Sequence, residues 1–213
     1  MCGIAGFFRG PLTADRQDHQ GWLAAMGNAI RHRGPDASGV WLDERVGLVH
    51  RRLSILDLST AGNQPMVSES GRYVIVFNGE IYNFRALRQQ LASEGYTFRT
   101  QTDTEVLLKL FERDGERCLD ELNGMFAFAI WDTQACRLFL ARDRLGKKPL
   151  YYFFDGQRFA FASELKALTT LPCVKTEIRP DSVKDFFAYQ YVPDPKTIYK
   201  NVYREAAYKH SYR

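Results

Sequence analysis

The chain begins MCGIAGFF. If an aminopeptidase removes Met1, Cys2 becomes the first residue and its thiol stands beside a free α-amine. An ordinary thiol has a pKa of about 8.5 and an α-amine one of about 7.7–8.0. An amine that titrates near neutrality can take the thiol proton as a general base. Nucleophile and base then come from one residue, and no Cys–His pairing is needed. None of the four histidines, His19, His32, His50 and His210, is required for that chemistry. Taken alone, a cysteine in second position is a weak signal, explained better by a small residue packed next to the initiator.

Asn78-Gly79-Glu80 adds to it. Acyl transfer needs donors aimed at a developing oxyanion, and an asparagine amide followed by a glycine N–H can supply two. They would sit at the end of a buried strand, with glycine allowing close approach. The alternative is an Asn-Gly turn, although EIYNF after it is not a clean return strand. Arg51 and Arg52 are neighbours in a strand-like run, so they face opposite ways. One can be exposed while the other grips a carboxylate through two parallel hydrogen bonds. A surface arginine fits the spacing equally. Asp103 falls in the first turn of a helix, where the dipole favours a carboxylate in any case, and it could also hold a substrate ammonium.

These residues need elements to position them. Gly3 to Phe8 reads as a strand, and Gln20 to Ile30 carries Trp22, Leu23, Met26 and Ile30 at helical spacing. RHRGPDASG, 31 to 39, reads as loop. VGLVHRRLSIL, 46 to 56, and RYVIVF, 72 to 77, read as strands. Phe84 to Glu94 is a helix with Gly95 at its C-terminal end, and Thr102 to Glu105 is a capping-box pattern. FAFAIWD and RLFLARD, then PLYYFF and RFAFAS, form hairpins, the second turning at Asp155-Gly156. Ser163 is expected to start a short helix and Asp181 to cap another. Hairpins without a repeated βαβ unit predict an α+β fold of antiparallel sheets covered by helices. Residues 200 to 213 read as a frayed helix or a disordered tail.

Composition narrows the class. The 213 residues are 45% hydrophobic and 25% charged, as globular chains are. A net charge of +4 is too mild to argue for nucleic acid. The short run Arg142, Arg144, Lys147 and Lys148 reads as a solvated face. Cys2, Cys118, Cys136 and Cys173 form neither a CxxC pair nor a Cys/His cluster, so no metal site is expected. Nor do they make a disulfide framework, which favours a reducing compartment. No apolar run is long enough to span a bilayer, and no secretory segment precedes Cys2. A soluble cytoplasmic protein is the expectation.

MCGIAG at 1 to 6, RHRGPD at 31 to 36, HRRLSILD at 50 to 57, FNGEIYN at 77 to 83, DTEV at 103 to 106, GMFAFAIWD at 124 to 132 and RDRLGKKPLYY at 142 to 152 follow one another in a familiar order. Together they resemble the glutaminase domain of glutamine-hydrolysing asparagine synthetases, which are class II glutamine amidotransferases within the N-terminal nucleophile hydrolases. The resemblance runs from residue 2 to about 203. It implies an αββα sandwich of two antiparallel sheets. It also implies roles: Cys2 as nucleophile, Asn78 and Gly79 as oxyanion hole, and Arg52 on the glutamine α-carboxylate. Glu80 and Asp103 would place the α-amino end, with backbone groups near Leu53 and Ile55 lining the pocket. The implied reaction is hydrolysis of glutamine to glutamate and ammonia through a γ-glutamyl thioester.

In that family the ammonia passes to a synthetase domain that uses ATP and magnesium and carries an SGGxDS-type loop. No such loop occurs here, and no cofactor is expected for this chain. It is expected to comprise a glutaminase domain at 2–199 and a divergent tail at 200–213, truncated before the synthetase domain. Three functional readings follow: a glutaminase, alone or serving a synthetase in trans; an idle remnant or interaction module; and a glutaminase serving a different acceptor. The absent partner domain would leave an apolar face, and with it a tendency to self-associate.

Overall fold

The structure, a computed structural model, describes residues 1–8, 16–205 and, as backbone alone, 208–212. Side-chain alternation decides its layers. In β1 (Gly3–Phe8), Ile4 and Phe8 enter a core shared with Val74, Val76 and Trp131. Ala5 and Phe7 point the other way, onto Leu23 and Met26 of α1 (Arg16–Ala29). Both faces are covered, which is why the strand is apolar throughout instead of alternating.

Around β1 lies a six-stranded sheet. It contains β2 (Ala37–Leu42), β3 (Val46–Arg52), β8 (Tyr151–Phe154), β9 (Phe159–Ala162) and β10 (Val202–Arg204), in the order β10-β8-β9-β1-β3-β2. A second sheet contains β4 (Met66–Val67), β5 (Tyr73–Ile81), β6 (Gly124–Asp132), β7 (Arg137–Arg142) and β11 (Tyr208–Tyr212), in the order β11-β7-β6-β5-β4. Every named strand pair is antiparallel. Val74 and Val76 of β5 face the first sheet, while Ile75 and Phe77 face α2 (Phe84–Ser93) and α3 (Asp103–Asp114). The short α4 (Leu165–Leu168) packs beside α1 on the opposite outer side. The result is the expected αββα sandwich.

Several local expectations meet their physical basis. α2 ends with Gly95 at φ +96°; Gly95 N–H donates to Ala92 O at 3.1 Å and Tyr96 N–H to Leu91 O at 3.0 Å, the paired bonds of a glycine-terminated helix. Thr102 caps α3 by accepting from Glu105 N–H at 3.2 Å. Glu105 does not close the expected box. Its carboxylate turns to Thr100 N–H at 2.7 Å and Arg99 N–H at 2.8 Å instead.

Other expectations are corrected. The stretch 31 to 39 is loop only in part: a 3-10 turn at Arg31–Arg33 leads into β2 from Ala37, because β3 offers a free edge on that side. β3 stops at Arg52, and Leu53 to Leu56 leave the sheet. Ser163 does not start α4; it is fully buried, and its Oγ accepts Ile4 N–H at 3.0 Å. Asp181 is no cap: Arg179 holds that place and Pro180 begins α5 (Pro180–Tyr189).

The basic run is a solvated face only in part: Arg144 and Lys147 are exposed, but Arg142 is 2% and Lys148 4% exposed. The buried Asp143 carboxylate accepts N–H groups from Phe126, Leu145, Lys147 and Lys148 and folds this segment inward. Within 200 to 213, Val202–Arg204 and Tyr208–Tyr212 are strands, not a frayed helix or disordered tail, while residues 206, 207 and 213 lie outside the described residues. β10 and β11 complete the outer edges of β8 and β7, whose open backbone groups accept another strand. Apolar surface collects at α5, where Phe187 is 81% and Tyr189 61% exposed. Among the described residues no helix is long and apolar enough to cross a membrane.

Candidate active site

The inner faces of three strands change character at the same end of the sandwich. Along β1 the inward period runs from Ile4 to Cys2. Along β3 it runs from Leu48 through His50 to Arg52, and along β5 from Val76 to Asn78. Apolar core gives way to polar groups on all three. A cavity of about 150 Å³ opens there. All eight residues singled out in the sequence line it: Cys2, Arg52, Leu53, Ile55, Asn78, Gly79, Glu80 and Asp103.

Asn78 and Gly79 are not a turn. Both lie inside β5, opposite Ala127 and Phe126. Beyond the two residues of β4, the edge of β5 has no neighbouring strand among the described residues, and side chains take over. Gln64 Oε1 accepts Phe77 N–H at 2.6 Å, and Asp103 Oδ2 accepts Ile81 N–H at 3.0 Å. In an antiparallel strand alternate residues direct their N–H groups to the same edge, so Gly79 N–H lies between those two and faces the cavity. A side chain at Gly79 is barred on the other side, because a Cβ there would stand 2.5 Å from Met125 O. Asn78 is 1% exposed, and its Nδ2 is buried with no hydrogen-bond partner among the described residues. Two donors therefore border the cavity. One of them is a buried amide without an acceptor, an arrangement that costs about 1–3 kcal/mol unless something in the functional cycle uses it.

Cys2 Sγ sits 3.4 Å from Leu53 N and 3.6 Å from Leu53 O. Burial pushes its thiol pKa up, and the Leu53 backbone contact works against that. Met1 still precedes it, so the Cys2 nitrogen is here an amide. Arg33 Nε donates to Cys2 O at 2.9 Å, and Arg33 Nη1 to Glu164 Oε1 at 2.9 Å. This fixes the start of β1.

Arg51 and Arg52 diverge as the alternation requires. Arg51 donates outward to Gly27 O and Asn28 Oδ1. Arg52 turns inward and donates to Ser59 O, Asp57 O and Asn63 Oδ1, which ties down the loop roofing the cavity. Among the described residues, three of the five guanidinium donors are thus engaged and two remain. Gly62 makes room for it, since a Cβ there would meet Arg52 Nη2 at 2.4 Å.

Asp103 is buried in the first turn of α3. Burial raises its pKa to about 6, against the lowering effect of the Ile81 N–H bond. His50 is fully buried, with Nε2 3.1 Å from Phe77 O and a pKa lowered to about 4, chiefly by burial. It is neutral near pH 7, donates that bond across the two sheets, and steadies the residue before Asn78.

Sequence reasoning passed over Lys148, Met125 and Gln64, which also line the cavity. Lys148 was legible only as part of a charged run. The turn that buries it depends on Asp143, whose four N–H partners no periodicity reveals.

Set against known families, residues 1–209 match the profile described as a glutamine amidotransferase domain. The chain belongs to that family. The domain is 42% identical over 198 residues to asparagine synthetase [glutamine-hydrolyzing] 1 of Bacillus subtilis, covering 93% of this chain and 31% of that protein. It is 38% identical over 223 residues to asparagine synthetase B [glutamine-hydrolyzing] of Escherichia coli, covering 97% of this chain and 39% of the relative. The amidotransferase domain thus spans about a third to two-fifths of the length of these curated relatives. Its fold is shared with glutamine phosphoribosylpyrophosphate amidotransferase of B. subtilis, at a TM-score of 0.67 and 23% identity over 80% of this chain and 43% of the other. It is a class II glutamine amidotransferase domain, homologous to the glutaminase domains of asparagine synthetases.

Proposed function

We propose that the domain hydrolyses glutamine to glutamate and ammonia, with Cys2 as the nucleophile after removal of Met1. The observation that carries this reading is the unpartnered, buried Asn78 amide in the cavity that holds Cys2 Sγ. The freed α-amine takes the thiol proton, and Sγ attacks the side-chain amide carbon of glutamine. The carbonyl electrons move onto oxygen, where Asn78 Nδ2–H and Gly79 N–H receive the charge. As the tetrahedral adduct collapses, the C–N bond breaks and the α-ammonium returns its proton to the departing nitrogen. Ammonia and a γ-glutamyl thioester result. Water, deprotonated by the same amine, attacks the thioester and releases glutamate and the thiol.

No cofactor is needed for these steps. ATP and magnesium would serve an asparagine synthetase-type acceptor, in the same chain or in trans, that consumes the ammonia. Hydroxylamine added during turnover should divert product from glutamate to γ-glutamyl hydroxamate. Glutamate formed without any hydroxamate would contradict the acyl-enzyme.

Arg52 has the two free donors and the charge to hold the substrate carboxylate. Arg52→Ala is expected to raise KM for glutamine at least about tenfold, the loss of a charge-assisted hydrogen bond at about 1.5–3 kcal/mol, with a smaller effect on kcat. Steady-state kinetics decide it, and an unchanged KM would remove the role.

Asp103 carries a pH signature. Its raised pKa of about 6 means that the carboxyl is charged above that value and neutral below it. Its attraction for a substrate ammonium is therefore present at pH 7 and lost as pH falls through about 6. KM should climb between pH 7 and 5 in the wild type. Asp103→Asn should be high and flat over that range, and an equal climb in the variant would assign the titration elsewhere.

A further inference from the structure

Lys148 is the cation in the cavity that this reaction scheme leaves without a task. Its backbone is clamped: its N–H donates to Asp143 Oδ2 at 3.0 Å, and its carbonyl accepts from Arg142 Nε at 2.6 Å. Its side chain is then delivered into the cavity beside the chain start, where Nζ donates to Met1 Sδ at 3.1 Å. A thioether is a weak acceptor. Among the described residues no carboxylate lies within ion-pair distance of this ammonium. Removing Met1 takes away that contact and creates a second amine, on Cys2, in the same small space.

We propose that Lys148 is a positioning residue for the base: its ammonium, held beside the new N-terminus, keeps the Cys2 α-amine in the unprotonated form that can accept the thiol proton. The inference rests on the glutaminase reading above and gives it a pH dependence. Two cations in a half-buried site repel, so the α-ammonium is driven to release its proton at lower pH than an exposed one.

The other charges facing the site come from every neighbouring element. Asp57, in the loop that roofs the cavity, accepts Ser59 N–H at 2.9 Å and Gln101 N–H at 3.0 Å. Arg33 in the 31–33 turn is compensated by Glu164 at 2.9 Å. Arg52 on β3 would be compensated by the substrate carboxylate. Glu80 on β5 and Asp103 on α3 would be compensated by the substrate ammonium. Asp143 is consumed by four backbone N–H groups. With glutamine bound, Glu80 and Asp103 share one substrate ammonium, and Lys148 is the cavity cation with no carboxylate at ion-pair distance among the described residues. Burial and Arg33 lower its own pKa, while Cys2, Glu80 and Asp143 act to keep its proton on.

The test uses the full chain with Met1 removal verified by intact mass, in wild type, Lys148→Met, Lys148→Gln and Lys148→Arg. Competitive acylation across pH, read as N-terminal and Lys148-containing peptides, gives the two amine titrations separately and requires no turnover. The α-amine pKa should rise by about one unit in the Met and Gln variants and stay near wild type in the Arg variant. The acid limb of kcat/KM should move with it, with a loss of about tenfold at pH 6.5 that vanishes in alkaline buffer. An α-amine pKa unmoved in both neutral variants would overturn the assignment. So would a loss of activity equal at all pH values, or a Lys148 that titrates below the α-amine. An α-amine shift in a protein that releases no glutamate would sustain the electrostatic role while removing the glutaminase reading.

Discussion

Asn78→Ala is expected to lower kcat for glutamine hydrolysis by about 10²–10³ while KM stays within a few-fold of wild type. The split follows from where the amide is used. None of the described residues engages Asn78 Nδ2, so ground-state binding loses little when it goes. Charge appears at that position only in the tetrahedral adduct. The fold makes the experiment clean, because an unpaired buried donor costs about 1–3 kcal/mol and its removal relieves that cost. The melting temperature of Asn78→Ala should therefore fall far less than its activity. Equal turnover in the variant would remove Asn78 from the oxyanion site. A KM that rises in step with the fall in kcat/KM, at unchanged kcat, would make the residue a binding contact instead.

Protein that retains Met1 should be almost inactive, by about 10²–10⁴-fold, the range that a general base contributes. With Met1 in place the Cys2 nitrogen is an amide and cannot take a proton. Burial meanwhile raises the thiol pKa, so little thiolate forms unaided. His50 cannot substitute, since its pKa of about 4 leaves it a weak base and its Nε2 is committed to Phe77 O. Asp103 has Oδ2 on Ile81 N–H, and in this scheme its charge is matched to the substrate ammonium. Material produced with methionine aminopeptidase inhibited, compared with processed material at equal concentration, gives the ratio. Comparable rates would show that the base lies elsewhere.

The chemistry was more legible in the sequence than its setting. Cys2, Arg52, Asn78 and Asp103 each allowed an ordinary explanation alone, and each gained weight from the others' order along the chain. The opposition of Arg51 and Arg52 followed directly from strand alternation, and the structure keeps it. The reading of NGE as the end of a strand or a turn fell short because β5 runs on to Ile81. The pairing that extends it is long-range, with Asn78 opposite Ala127. β2 was hidden because its residues, half-exposed and led by a Gly-Pro pair, carry no strand pattern of their own. The last strands were hidden for a related reason. A polar, aromatic segment becomes a strand only when a sheet edge is offered to it. Lys148 shows the limit most plainly: composition marks it as surface, and the carboxylate that buries it works through backbone N–H groups.

The most direct measurement is glutamate release from glutamine by the purified, Met1-processed chain, with Cys2→Ala assayed beside it. The expected result is steady release by the wild type and none above background from the variant. Release that survives the loss of Cys2, or a folded and processed wild type that releases no glutamate, would contradict the assignment of Cys2 as the working nucleophile.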